Sequence, residues 1–435
     1  VTGPADISPV RRREIIDALR RGTVPAGGLD ALAVGLERFA PTVDAELEAV
    51  AGGGAAFKAV RGEYGSGKTF FARWLEQRAL SRGFAVAEVQ ISELETPLHK
   101  LETVYRRITE SLRTAAFPPS GFRPVVDAWL FTVEEEAAAL AGMPEASTEQ
   151  IESLLTERLG KVAQATPVFP LALRGYLKGL ADGDQTTAEA VIAWMSGQPH
   201  VGAAAKRVAG VRGDIDHFLA MGFLQGLLAV LQGSRHAGLV VVLDEVETLQ
   251  RMRSDARAKA LNALRQWIDE LDAGRYPGLY LVITGTPTFF DGRHGAAGLS
   301  PLAARLATDF GDPRFDNPRA PQIRLPGFDL DRLVEVGVRV RDLVAAGVAE
   351  PSAFHDRASD ALVARLAKSV AGQLGGQIGV APRLFLRKLV DLLDRIELIP
   401  GFTPDDAGLP QVDDRELTDT ERLAARGLTA DDIPL

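Results

Sequence analysis

Cysteine is absent from the 435-residue sequence. That excludes disulfides, iron–sulfur clusters, thiolate zinc sites and cysteine nucleophiles, leaves packing as the source of stability, and fits a reducing compartment. Histidine is scarce and scattered: His99, His200, His217, His236, His294 and His355 show no H-E-x-x-H and no paired zinc spacing. A G-x-S-x-G elbow is also missing, so metalloprotease and serine-hydrolase chemistry lose their usual signatures. No apolar run is long enough to cross a bilayer, and the opening residues lack the basic, apolar and small-residue order of a signal peptide. The expectation is a cytoplasmic protein without a membrane segment. Excess positive charge is lacking too. A formal net charge of −9 argues against a chain that binds nucleic acid over its whole surface, although a local basic groove stays open. Internal repeats and low-complexity tracts are not found.

What is present is an alternation of short apolar runs with helical patterns. "RRREIIDALRRG" has helical spacing and stops at a glycine; it reads as a surface helix with solvated arginines. "AAFKAVRG" is a short buried strand that enters a glycine-rich turn, and "KTFFARWLEQRALSRG" is the helix that leaves it. "FAVAEVQIS" and "PLHKLETVYRRITESL" repeat the strand-then-helix order, which builds a parallel sheet with helices on its faces. Helical patterns then run without strands to about residue 236, where "GLVVVLDE" resumes the sheet as a continuous β-branched run of the kind a doubly covered strand needs. "DARAKALNALRQWIDEL" and "GLYLVITGT" complete that unit. The expected division is an N-terminal helical segment (1–40), a split α/β core (41–116 and 237–326), a helical insertion (117–236), a C-terminal helical domain (327–400) and an acidic tail (401–435). Trp74, Trp129, Trp194 and Trp267 lie within helical patterns and read as core, with Trp194 near enough to a turn to be a candidate for exposure.

The glycine turn spells G-x-x-x-x-G-K-[ST] as Gly62, Glu63, Tyr64, Gly65, Ser66, Gly67, Lys68 and Thr69, followed by Phe70. Glycines let successive backbone N–H groups turn inward on a phosphate, and the helix N-terminus adds donors and a favourable dipole. Lys68 would place its charge on the β- and γ-phosphates of ATP, and the Thr69 hydroxyl would ligate Mg²⁺. In "VVVLDEVE", Asp244 would complete the Mg²⁺ shell and Glu245 would polarise the attacking water, while Glu247 reads as a surface carboxylate. Thr284 and Thr286 end the next strand, and either could sense the γ-phosphate. An arginine can meet the charge of the transition state: Arg305 and Arg383 are the candidates, with Arg314, Arg319 and Arg324 as competitors.

This order of parts resembles an AAA+ ATPase of the branch that includes origin-recognition and STAND-like proteins. The resemblance implies an α/β P-loop AAA+ fold, a parallel sheet with helices on both faces and a C-terminal helical lid, with a winged-helix form of the lid as an alternative. It also implies that Gly35 in "VGLERF" lies over the adenine, that Asp244 and Glu245 are the Walker B pair, that Thr284 or Thr286 is sensor 1, that Arg305 is the finger and that Arg383 is sensor 2. Asparagine is commoner at sensor 1, so threonine is a departure. More narrowly, "RGEYGSGKTFFARWL", "VVLDEVETLQRMR", "ITGTPTFFDG", "PLAARLATDFGDPRFDNPRAPQIRLPGFD" and "APRLFLRKLVDLL" resemble the BrxD family of ATP-binding proteins from bacteriophage-exclusion (BREX) defence systems. That implies an ATPase working with other phage-defence proteins, a helicase among them, on invading DNA. A finger arginine often works in a neighbouring subunit, so Arg305 points to ATP-dependent self-association. Arg11 to Arg13 and Arg314 to Arg324 are the candidate DNA contacts. A nucleotide-gated scaffold with slow turnover is the competing expectation; a small-molecule kinase is poorly supported, because no acceptor pocket can be read.

Overall fold

The computed structural model describes residues 7–373, 382–404, 408–410, 412–417 and 422. Five strands, β1 (Ala56–Arg61), β2 (Ala85–Gln90), β3 (Leu239–Asp244), β4 (Leu279–Gly285) and β5 (Gln322–Arg324), form one sheet in the order β2-β3-β4-β1-β5. β2 runs parallel to β3 with Ala85 opposite Leu239, and β3 parallel to β4 with Leu239 opposite Leu279. All residues of β3 and β4 are buried. Successive strand side chains point to opposite faces, so both faces of these strands are covered, and their sequences are accordingly apolar up to the polar residues Asp244 and Thr284 near their carboxyl ends.

Helices α1 (Pro9–Arg21) and α2 (Ala40–Ala51) precede the sheet, and α3 (Lys68–Ser81) and α4 (Leu101–Ser111) follow β1 and β2. The long helical stretch contains α5 (Phe122–Ala141), α6 (Thr148–Arg158), α7 (Gly160–Ala165), α8 (Val168–Ala181), α9 (Gln185–Met195), α10 (Ala203–Val208) and α11 (His217–Gly233). Then come α12 (Ser254–Asp272), α13 (Pro287–Asp291) and α14 (Ser300–Arg305). After β5 lie α15 (Leu330–Ala345), α16 (Pro351–Arg357), α17 (Asp360–Gln373) and α18 (Pro382–Leu398). Among the described residues no strand follows β5, and the C-terminal region is helical.

The chain groups into two compact units, with β1 contributing to both. The unit of Asp44–Ala59 and Arg78–Thr308 has one apolar cluster shared by sheet strands and insertion helices. Phe223 of α11 is a hub of it, with Phe169, Trp194 and Tyr105 at ring distances of 5.1, 5.5 and 6.1 Å. Trp194 is therefore core and not exposed: it is 1% accessible and its indole N–H donates to the Gly213 carbonyl. α2 is tied down by Glu46, which pairs with buried Lys58 at 2.6 Å and accepts the Tyr280 hydroxyl. Burial and the Glu46 charge hold that phenol well above its ordinary range.

The other unit comprises the described residues of Val1–Val43, Val60–Gln77 and Asp309–Leu435. α1 is not simply a solvated surface helix. Ser8 caps it, Pro9 occupies its first turn and left-handed Gly22 ends it, while Ile15, Ile16 and Leu19 enter the apolar cluster of α15, α17 and α18. Arg12 donates to the Ala346 carbonyl, and Arg20 bonds both carboxylate oxygens of Asp394.

Candidate functional site

The glycine turn links β1 to α3 within the second of these units. Gly65 and Gly67 have φ of 76° and 90°, conformations that side-chain-bearing residues resist. At Gly62 a Cβ would lie 2.2 Å from Ser66 Oγ. Ser66 is buried, and its hydroxyl has no hydrogen-bond partner among the described residues. Lys68 Nζ folds back over the Tyr64 ring at 5.1 Å and donates to the carbonyls of Gly62 and Glu63 at 2.9 and 3.3 Å. A tight turn without room for side chains, an orphaned buried hydroxyl, an ammonium and a helix N-terminus fit an anionic phosphate.

The segment before α2 wraps this loop's helix. Asp30 accepts the Trp74 indole N–H at 2.9 Å and the Gln77 amide at 3.2 Å, and Arg73 donates to the Val24 carbonyl. Left-handed Gly35 lies beside the Arg332 side chain, and Phe70 packs with Phe328 against the apolar cluster of the C-terminal helices. Arg61, next to Gly62, lies over the Phe310 ring at 4.7 Å; Arg324 lies over the same ring at 5.1 Å and pairs with Asp316. Arg38 donates to the Pro313 and Arg324 carbonyls. Burial, aided by Arg332 and Arg324 and opposed by Asp316, lowers the Arg38 pKa.

In the other unit the acid pair ends β3. Asp244 is 6% accessible. Its Oδ1 accepts the Thr284 hydroxyl and, at 3.1 Å, the Glu245 N–H, which also reaches Thr284 Oγ1 at 3.3 Å. Glu245 is left-handed, φ 60° and ψ 43°, and its Oε2 accepts the Gln90 amide at 2.9 Å. Thr248 ties the following turn to the Ile91 carbonyl at 3.1 Å. Glu247 is buried in that turn, 7% accessible, and so is not the surface carboxylate its spacing suggested. Thr284 thus joins the acid pair, whereas the Thr286 hydroxyl pairs with that of Thr288 at 2.8 Å. A buried carboxylate with hydroxyl neighbours suits a hard divalent cation such as Mg²⁺.

The candidate arginines hold internal contacts. Arg305 pairs with Asp269, whose other oxygen takes Arg265 at 2.6 Å. Arg383 Nη2 donates to the Glu416 carbonyl at 2.9 Å. Arg11 pairs with Glu14, Arg314 with Asp312 and Arg324 with Asp316, so several of the candidate DNA contacts are engaged within the chain. Sequence reasoning did not single out Gln90, Asp30, Asp269, Phe310 or Phe328. The signal for Gln90 was available, since it is the polar residue that ends an apolar strand. The partners of Asp30 and Asp269 become evident only in three dimensions.

No helix among the described residues is long and apolar enough to cross a membrane, and no cluster of three metal-ligating side chains occurs among them. The Aeropyrum pernix ORC2 protein, solved in ADPNP–ADP complexes, is 14% identical, with 86% of this chain and 70% of that one covered and a TM-score of 0.33. The Aeropyrum pernix ORC1 protein in complex with DNA is also 14% identical, with 91% and 68% covered and a TM-score of 0.32. No curated protein matches the sequence. Residues 7–409 match the model of the BREX system ATP-binding protein BrxC/D family, and the chain belongs to that family.

Proposed function

We propose that the chain is an AAA+ ATPase that binds ATP with Mg²⁺ and hydrolyses it to drive a conformational change on DNA or on a DNA-processing partner in anti-phage defence. Within the family, the motifs from "RGEYGSGKTFFARWL" to "APRLFLRKLVDLL" favour the BrxD branch. Lys68 and the loop from Gly62 to Thr69 take the phosphates, and Gly35 and Phe70 flank the nucleotide. Thr69 and Asp244 hold the Mg²⁺, which when bound offsets the charge on the β- and γ-phosphates. Glu245 takes the proton of the attacking water; Arg305 and Arg383 meet the developing charge, Arg305 from a neighbouring copy in an ATP-dependent assembly. A helicase and other defence proteins in the cytoplasm are the proposed partners.

One observation carries hydrolysis over simple binding. Glu245 stands at the carboxyl end of a fully buried strand in a conformation that costs a non-glycine residue energy, and a passive clamp has no use for that arrangement. The test is Glu245→Gln in the full chain. Loss of a general base costs about 10²- to 10⁴-fold, so turnover should collapse while ATP stays bound. Unchanged turnover would overturn the assignment.

A nucleotide-gated assembly switch with slow turnover is the competing function, and the pairing of Arg305 with Asp269 favours it, because a finger held in its own subunit is not offered to another. ATP that changes oligomeric state without measurable hydrolysis would select it.

A further inference from the structure

Thr284 lies near the end of β4 and Thr286 just beyond it, at the start of α13, and by sequence either could donate a hydrogen bond to a γ-phosphate. Their surroundings differ. A threonine hydroxyl has one proton to give and two lone pairs with which to accept. Thr284 is fully buried, gives its proton to Asp244 Oδ1 and accepts from the Glu245 N–H at 3.3 Å. With that proton committed to a carboxylate, the hydroxyl has none left for a phosphate oxygen. The same N–H reaches Asp244 Oδ1 at 3.1 Å, so three atoms from two strand ends close a triangle.

We propose that Thr284 is a positioning residue that acts through the acid pair and not on the nucleotide. The hydroxyl fixes the rotation of the Asp244 carboxylate. It also helps hold the Glu245 N–H, and with it the left-handed backbone at φ 60° from which the Glu245 carboxylate is presented. Left-handed geometry is disfavoured for a residue with a Cβ and persists where surrounding bonds over-determine it. The two acceptors offered to the Glu245 N–H are such bonds. One buried hydroxyl therefore sets the orientation of both acids. This rests on the assignment of Asp244 to the metal and Glu245 to the water.

The test compares binding of a fluorescent ATP analogue with and without Mg²⁺ in the full chain. Thr284→Val keeps the shape and removes the hydroxyl. It should weaken the Mg²⁺-dependent part of binding by about ten- to hundredfold, the usual cost of losing a group that orients a metal ligand, and leave Mg²⁺-free binding unchanged. Thr284→Ser should restore the metal response. Should Thr284→Val fail to fold, Thr284→Cys, a weak donor of similar size, should give an intermediate metal response. In an Asp244→Asn background the valine substitution should add nothing, because the group through which it acts is already altered. A valine variant with the wild-type metal response, or one whose cost persists in full beside Asp244→Asn, would overturn the proposal. A wild-type chain that binds no nucleotide would instead overturn the proposed function, and binding indifferent to Mg²⁺ would overturn this inference while leaving ATP binding in place.

Discussion

At the scale of single residues the phosphate loop has little freedom. A Cβ on Gly62 would meet Ser66 Oγ at 2.2 Å and Ser66 Cβ at 3.1 Å, and Ser66 is itself buried. Overpacking a tight site costs about 1–3 kcal/mol, so Gly62→Ala should weaken ATP binding by roughly tenfold or more. Removing the Ser66 hydroxyl relieves the shorter contact. Titration of a fluorescent nucleotide should therefore show Gly62→Ala/Ser66→Ala binding more tightly than Gly62→Ala alone, and a double variant no better than the single one would refute the steric account. The loop was legible in the sequence because its chemistry is local: glycines, lysine and threonine at fixed spacing are one turn and one helix start. The distinction between Thr284 and Thr286 was not legible. It depends on which hydroxyl meets Asp244, and that residue lies forty positions away on a neighbouring strand.

Among the elements, α1 shows why charge pattern misleads where apolar pattern does not. Its arginines suggested a solvated face, yet Ile15 is 0% accessible within the cluster of the C-terminal helices. Truncating a fully buried isoleucine costs about 2–5 kcal/mol, whereas an exposed ion pair is worth about 0–1 kcal/mol. The Arg20 and Asp394 side chains are 45% and 25% accessible. Ile15→Ala should therefore lower the urea midpoint markedly, and Arg20→Ala should barely move it; the reverse ranking would mean that α1 is held by charge. The i, i+3 and i, i+4 spacing of Ile15, Ile16 and Leu19 in "EIIDAL" carried the helix, but nothing in it named the partner helices, because any apolar stripe would fit. β3 and β4 were legible for the opposite reason. A run of branched residues without alternation has few places in a protein except a strand covered on both faces.

For the molecule as a whole, a net charge of −9 goes with internal ion pairs at Arg11, Arg314 and Arg324, three of the arginines first read as DNA contacts. Burial sets a pH response through two histidines. His99 and His236 both have pKa values lowered from the ordinary 6.5, chiefly by burial. Lys100 and Lys259 deepen the shift at His99 against Glu102 and Asp255, and the Gly83 carbonyl partly opposes it at His236. The neutral ring is thus favoured in the folded chain, and below pH 6.5 the unfolded chain binds more protons. Their contribution to stability is present above 6.5 and is lost as pH falls through that value toward the lowered folded pKa. His236→Gln removes one titrating group and keeps a polar side chain near Gly83. Urea midpoints measured from pH 7.5 to 5.5 should fall for the wild type, fall less for His236→Gln, and least for that variant combined with His99→Gln; parallel curves would assign the acid sensitivity to other groups.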